Sequence, residues 1–375
     1  MDAASLEDVE HQTLPAVWPE GISRTAVPAE AHKERQYYEK PIRELQPIIL
    51  EDVTVWPDSS VVAKSNCALV DPMQFNQRRE ISLENGASVL RDFGGRLILN
   101  KRPSFPIEKG ISLFGHGATN WFHWLVEVLS KASFLHDLPT EFSDFPLLVP
   151  ETVGYNNSFR QSLELFANGR EIIPLASNTQ FDVKRLIILP TVSYGPVNMQ
   201  DGHWPLRQHY MQHNSALKHF RKTLFSMLEI EEEALPSKRL FIERPNTRRS
   251  YNQEALKKVA QSHCLEVVKP ETMTFRQQVD LFHSSEFVAG ATGAAWSGGL
   301  FMRPGSSSLI WTMEQYREGC FFSNLAEVAG SDQRYIFVKP DKELSSTHMA
   351  YSASFELNPE DFDAQLAFML GSKKK

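Results

Sequence analysis

Apolar and polar positions take turns most regularly from Arg239 onward. The runs RLFIER (239–244), LEVVKP (265–270), EFVAGA (286–291), SSLIWTM (307–313) and RYIFVKP (334–340) are short, apolar and bounded by turn residues, which predicts strands. Between them, Asn252–His263, Phe275–His283 and Cys320–Ala329 carry apolar residues at helical spacing, and a Gly/Ala-rich helix start follows Ala291. Such alternation predicts a parallel sheet with right-handed crossovers. Ligands of open parallel sheets bind at the carboxyl ends of the strands, so functional residues are expected just after Glu243, Pro270, Ala291 and Met313.

The first half is less regular. Ile48–Val55, Val61–Val70, Arg96–Asn100, Phe145–Pro150 and Phe181–Pro190 read as strands, and Asn120–His136 and Ser158–Ala167 as helices. This predicts an α/β unit with some antiparallel strand at its start. Residues 1–45 are charged and interrupted by Pro15, Pro19 and Pro28, which predicts a surface arm packed on the first domain. The turn-rich stretch 191–204 precedes a long helical pattern, Pro205–Leu228, and reads as the domain connection. The expected division is a 1–45 arm, a 46–204 α/β domain, a 205–358 Rossmann-like domain, and a 359–375 amphipathic helix with a basic tail.

Composition narrows the class. With 375 residues, two domains of ordinary size are expected. Lys and Arg total 39 against 46 Asp and Glu, so the net charge of −7 gives no footprint for nucleic acid. The acidic start (Met1–Glu10) is unlike a secretory signal, and the stretch 287–302 is too short and Gly-rich to span a bilayer. Cys67, Cys264 and Cys320 form no CxxC pair, so neither a zinc site nor a disulfide is expected. Cytoplasmic thiols fit this count.

Three constellations carry candidate chemistry. In FGHGATNWFHWLVEVLSKASFL (114–135), Trp121, Leu125, Val128, Ala132 and Leu135 form one apolar stripe, while Asn120, His123, Glu127 and Lys131 form another. A His–Glu pair four residues apart orients an imidazole and raises its basicity, although a plain surface pair has the same spacing. Thr119 or Asn120 suits the helix cap. Second, ERPNTRRSYNQE (243–254) puts Arg244, Arg248 and Arg249 between a strand end and a helix start, where guanidinium forks suit a diphosphate. Third, GATGAAWSGGLFMRPGS (290–306) lets backbone approach a ligand and offers N–H groups of Thr292, Gly293 and Ala294 to an anion. Its spacing is not that of a dinucleotide fingerprint.

Two motifs compete. Asp361-Phe362-Asp363 spells DxD but lies at a helix start, where the helix dipole explains the acids. Ala295-Trp296-Ser297-Gly298-Gly299 approximates a nucleophile elbow, with His116-Gly117 near an oxyanion hole and Asp341 and His348 in triad order. That gives an α/β hydrolase using Ser297 as the alternative function; a nucleotide-binding relative without catalysis is another.

Over roughly residues 110–340 the chain resembles glycosyltransferase family 61, which includes bacterial capsule-type transferases, plant β-1,2-xylosyltransferase and animal O-linked N-acetylglucosaminyltransferases. Asn120-Trp121-Phe122-His123-Trp124 with Glu127 is similar to the family's Asn-aromatic-aromatic-His-Trp…Asp/Glu helix. Arg248 to Gln253 resembles its Arg-Arg-x-x-Asn-Glu segment, with Gln253 in place of Glu, and Phe275 to Gln278 its Phe-x-x-Gln stretch. Gly290–Ser306 resembles the family's Gly-Pro-His-Gly-Ala-Gly-Leu-Thr-Asn-Leu-Leu-Phe-Met-Pro-Pro-Gly-Ser block, with Ala291, Thr292 and Gly298 replacing Pro, His and Asn.

The resemblance implies a GT-B fold: two Rossmann-like domains facing across a cleft, with the carboxyl-terminal helix crossing back onto the first domain. It implies an inverting, metal-independent transferase that needs no cofactor. The donor would be a nucleotide-diphosphate sugar, UDP the expected carrier, and the acceptor a glycan or glycolipid of cell-surface polysaccharide. It places the enzyme at the cytoplasmic face of the membrane. His123 and Glu127 are then the catalytic pair, with either as the base. Arg244, Arg248, Arg249, Asn252, Gln278, Thr292, Gly293 and Ala294 are expected to hold the donor, and His116, Asn120 and Trp124 the acceptor.

Overall fold

The computed structural model describes residues 1–231, 235–245, 250–344, 349 and 353–371. The chain forms two compact units. The first comprises Met1–Ser23, Lys40–Asp201 and Met211–Met227, and the second Arg24–Glu39, Gly202–Tyr210 and Leu228–Lys375. This differs from the expected division, because the chain passes between units several times. The first residues pack on the first unit, as expected, and go further by joining its sheet: Asp2–Ser5 pairs in parallel with Cys67–Val70, and Leu6 and Leu14 are buried. The charges between these apolar residues masked them in the sequence. The stretch 191–204 is not a plain connection either. Ser193–Tyr194 pairs with Met211–Gln212 and Asn198–Met199 with Ile81–Ser82, all in the first unit. The long helical pattern yields a helix only over Asn214–Met227, whose Phe220 stacks on Phe166 at 5.6 Å. An amphipathic stripe reveals that a helix is covered, not which unit covers it.

Among the described residues the first unit holds a nine-stranded mixed sheet. The strand Ile48–Val55 runs antiparallel to Gln180–Ile188, and Gln180–Ile188, Ser104–Ser112, Leu147–Pro150 and Ile172–Leu175 run parallel in that order. The expected strand over Val61–Val70 is instead a hairpin, Val62–Lys64 with Cys67–Val70, turning at Ser65 with φ 54°. Ser104–Ser112 went unpredicted, since Pro106, Glu108 and Lys109 spoil its apolar alternation. It is nonetheless central, and Gly110 is needed there. A β-carbon at 110 would come within 2.5 Å of the Leu148 side chain.

The second unit agrees closely with the pattern. Its five strands, Glu266–Val268, Lys238–Ile242, Ser285–Ala291, Ser307–Met313 and Asp332–Val338, are all parallel and lie in that spatial order among the described residues. In chain order this is 2-1-3-4-5, a doubly wound arrangement with its switch point between Lys238–Ile242 and Ser285–Ala291. The strands are buried because helices cover both faces, so they read as continuous apolar runs. The carboxyl-terminal helix, Pro359–Gly371, belongs to this unit rather than crossing back onto the first. Phe362, Leu366 and Met369 join the core of Phe241, Leu256 and Trp311, and Phe362 meets Trp311 edge-on at 5.0 Å. That apolar stripe fixes the helix where it lies. No helix among the described residues is long and apolar enough to cross a membrane.

Candidate active site

In the first unit, Ser112 pairs with Ile188, so the chain leaves two parallel strands side by side. After the first strand comes Gly115-His116-Gly117, pinned where the His116 N–H donates to Ser60 Oγ at 3.2 Å. Asn120 Oδ1 then accepts from Phe122 N at 2.9 Å and caps a helical turn, Trp121–His123. A regular helix was expected over Asn120–His136. The chain instead widens to a π-turn over Trp124–Val128 and tightens to a 3₁₀ segment over Leu129–Phe134. Trp121 and Trp124 both pack on Phe159 with centroids 5.2 Å away, which fixes the start of this segment. π-Turns are rare and concentrate at functional sites.

His123 and Glu127 meet inside that turn, with Nδ1 2.7 Å from Oε2. A carboxylate accepts only, so Nδ1 carries the hydrogen and Nε2 presents its lone pair. Burial pulls the imidazole's pKa down, but the charge and hydrogen bond of Glu127 outweigh it and leave the value raised. Glu127 is held in turn, since its Oε1 accepts from Gly195 N at 3.2 Å. The neighbouring His116 behaves oppositely. Burial, then the charge of His123, pushes its pKa to about 4, so it stays neutral beside the pair.

Gly117 completes the pocket for the ring. Its φ is +73°, and a β-carbon there would lie 2.8 Å from His123 Cδ2 and 3.3 Å from Nε2. Gly117→Ala is expected to cost about 1–2 kcal/mol of stability from the left-handed backbone. It should also displace the imidazole; a thermal melt reads the first effect and the His123 ring signals in NMR the second.

Three neighbours of the pair lay outside the expected site. Tyr194 is 8% exposed, and burial followed by the Glu127 charge drives its phenol pKa upward. Asp71 accepts from Thr191 Oγ1 at 2.9 Å. Lys131, placed on the polar stripe by its spacing, is a half-buried ammonium in the field of Asp71 and Glu127. Asp71, Thr191 and Tyr194 carried no sequence signal, because they lie far from the helix and in a stretch that reads as a linker.

The acceptor-side expectations divide. His116 stands beside the pair, while Asn120 is spent on the helix cap. Trp124 is corrected. It is 0% exposed, and its indole N–H donates to Ser162 Oγ at 2.9 Å, so it is a core residue with no face for an acceptor.

In the second unit the switch point brings two expected residues together. Arg244 Nη1 donates to the Thr292 carbonyl at 2.8 Å, and its side chain lies against Gly293. The Thr292 N–H is corrected as an anion donor, because it bonds Trp311 O at 2.9 Å within the sheet edge. Gly293 and Ala294 follow at the start of the 3₁₀ segment Ala294–Phe301. Asn252 is also corrected. Its Nδ2 donates to Leu357 O at 2.8 Å and its Oδ1 accepts from Leu357 N at 3.2 Å, so both ends of the amide tie down the chain before the last helix. Gln278 is 7% exposed and turned back on Met273 O at 3.2 Å. Arg248 and Arg249 lie outside the described residues.

The glycosyltransferase 61 family model matches residues 121–309, from the start of the His123 helix to the strand beside the Arg244 edge. That is half of the 375-residue chain. The chain belongs to the glycosyltransferase 61 family. It is therefore an enzyme that transfers a sugar from a donor to an acceptor. Among curated proteins none matches.

Within this glycosyltransferase 61 chain the departures from the family pattern have local causes. A β-carbon at Gly298 would lie 2.2 Å from Phe282 Cε2, so the phenyl ring occupies the room a larger residue would need. Gln253 keeps an acceptor oxygen where the family has Glu. Its Oε1 accepts from Arg244 N at 2.8 Å and from the Tyr251 hydroxyl. Ser297 does not form a nucleophile elbow. It is 0% exposed and its hydroxyl donates to Ala294 O at 2.9 Å. His348, its would-be base, lies outside the described residues. Of the DxD pair, Asp363 Oδ1 is 2.7 Å from His263 Nε2.

Proposed function

We propose that this glycosyltransferase is inverting and metal-independent, with a GT-B arrangement of its two units. It moves a sugar from a nucleotide-diphosphate donor, UDP-linked, to a glycan or glycolipid hydroxyl in cell-surface polysaccharide assembly at the cytoplasmic face. The observation that carries the reading is the His123–Glu127 pair. Its Nε2 lone pair is available, its tautomer is set by a carboxylate, and that carboxylate is itself held by Gly195.

In this scheme the acceptor hydroxyl attacks the anomeric carbon opposite the nucleotide. The new C–O bond forms as the bond to the diphosphate breaks, and the hydroxyl proton passes to His123 Nε2. Glu127 stabilises the imidazolium. Arg244 supports the charge on the departing diphosphate, with the N–H groups of Gly293 and Ala294 assisting. The doubly wound sheet of the second unit supports this donor role, since Arg244 and Thr292 lie at its switch point.

Two measurements test the scheme. A UDP-sugar panel should yield transfer that persists in EDTA and in the Asp361→Ala/Asp363→Ala double variant; strict dependence on added manganese or magnesium would overturn the metal-independent reading. Arg244→Ala should weaken UDP binding in calorimetry by ~1.5–3 kcal/mol, the worth of a charge-assisted bond. Unchanged affinity would remove Arg244 from the donor site.

A further inference from the structure

Asp71 follows the strand Cys67–Val70 directly, and Thr191 lies just beyond the strand Gln180–Ile188. Their side chains are bonded, Thr191 Oγ1 donating to Asp71 Oδ2 at 2.9 Å. Together with Pro190, Arg43, Gln46 and Ile48 they line a cavity of about 90 Å³ in the first unit. That is room for several waters or one edge of a sugar ring.

The cavity is tied to the catalytic pair by one short loop. Thr191 at its start holds Asp71, and Gly195 at its end holds Glu127. Lys131 faces both carboxylates. Among the described residues its ammonium has no hydrogen-bond partner, and burial lowers its pKa against the pull of Asp71 and Glu127. A carboxylate braced by a hydroxyl at a cavity wall, with an unspent ammonium behind it, is arranged to grip neighbouring hydroxyls of a ligand. The wall also carries Glu7 and Glu44 against the single guanidinium of Arg43. Three carboxylates against Arg43 and the Lys131 ammonium behind Asp71 leave the site net negative, which disfavours an anionic guest.

We propose that this cavity is the acceptor subsite, that Asp71 and Thr191 grip its hydroxyls, and that it takes an uncharged or amino-bearing sugar rather than a uronic acid. The proposal rests on the reading of His123–Glu127 as the base, to which the Thr191–Gly195 loop and the Lys131 ammonium link the cavity. Asp71 and Thr191 together bond hydroxyls of that sugar, and another of its hydroxyls is the one His123 deprotonates.

The test uses the full chain and four probes: methyl β-xyloside, methyl β-galactoside, methyl β-glucosaminide and methyl β-glucuronide. Ligand-observed NMR titration gives a Kd for each. At least one of the first three is expected to bind, and the glucuronide at least tenfold more weakly. Asp71→Asn should weaken the bound probe tenfold or more. Asparagine serves as well as aspartate before the short helix Pro72–Phe75, so the variant should melt as the parent does. Thr191→Val, which keeps shape and removes the hydroxyl, should weaken binding in the same direction. Equal affinity in parent and both variants overturns the proposal, as does a preference for the glucuronide or no binding of any probe. UDP binding, measured in the same samples, tests the donor reading separately. A chain that binds UDP and none of the glycosides keeps the transferase scheme and loses this subsite. A chain that binds glycosides through Asp71 but no UDP keeps the subsite and loses the scheme.

Discussion

Replacing His123 by alanine is expected to lower the transfer rate about 10²–10⁴-fold at saturating donor and acceptor, the range for loss of a general base. Affinity for the nucleotide should hardly change, since the imidazole stands in the first unit and the Arg244 edge in the second. The pH profile gives a sharper check. The raised pKa of His123 means that the base is protonated, and inactive, below a value higher than the ordinary 6.5. Activity should therefore fall on the acid side of a limb lying above that value. Glu127→Gln removes the charge that raises it and leaves burial, which lowers it, so the acid limb should move to lower pH. The rate should fall as well, because a glutamine stabilises an imidazolium less than a carboxylate does. A Glu127→Gln enzyme with an unmoved limb would detach the pair from the titration. A larger loss for Glu127→Gln than for His123→Ala would make the carboxylate the base.

The largest expected effect on stability lies away from the chemistry. Arg78 and Asp92 form a bidentate ion pair with side chains 4% and 0% exposed. Asp92 also accepts from Leu83 N at 2.7 Å and Gly94 N at 2.9 Å, so one carboxylate organises the whole turn region before and after it. Burial raises its pKa, but the Arg78 hydrogen bond and the two backbone N–H groups more than offset that, and the value is lowered. Asp92→Ala would leave a guanidinium buried without its partner, a change that costs about 3–5 kcal/mol. Native stability is ~5–15 kcal/mol, so the variant should melt well below the parent or fail to accumulate. The pH dependence follows from the sign of the shift. A depressed carboxyl contributes its stability fully above the unfolded pKa and loses it as pH falls through the folded one. The parent should therefore lose this stabilisation as pH falls through the depressed value, and the gap in stability between parent and Asp92→Ala should narrow in acid. If Asp92→Asn melts within a degree of the parent, the pair is not the brace it is taken to be.

The order of elements in the second unit was determined by the sequence. Phe275–His283 and Ser307–Met313 appear at the expected residues, and the other strands and helices shift by a few residues. The reason is local. In a parallel sheet covered on both faces, each strand is a continuous apolar run and each helix a separate stripe, so neighbours along the chain carry the whole signal. The spacing of His123 and Glu127 was legible for the same reason, since four residues bring two side chains together on either a helix or a π-turn.

Tertiary structure decided the rest. The strand Ser104–Ser112 has Pro106 and charged residues where alternation would be sought, and only its position between two partners makes it a strand. The last helix has the apolar face of any surface helix; the core of Phe241 and Trp311 selects where it packs. Asn252 and Gln278 look like ligand-binding amides until Leu357 and Met273 are found to use them. Trp124 and His123 are neighbours in one motif, yet one is buried against Ser162 and the other faces Gly117. Gly195 reaches the His123–Glu127 pair from a distant loop, and Thr191 at the start of that loop bonds Asp71. Spacing along a chain records which residues share an element. Which elements meet depends on long-range packing, and that leaves no period in the sequence to read.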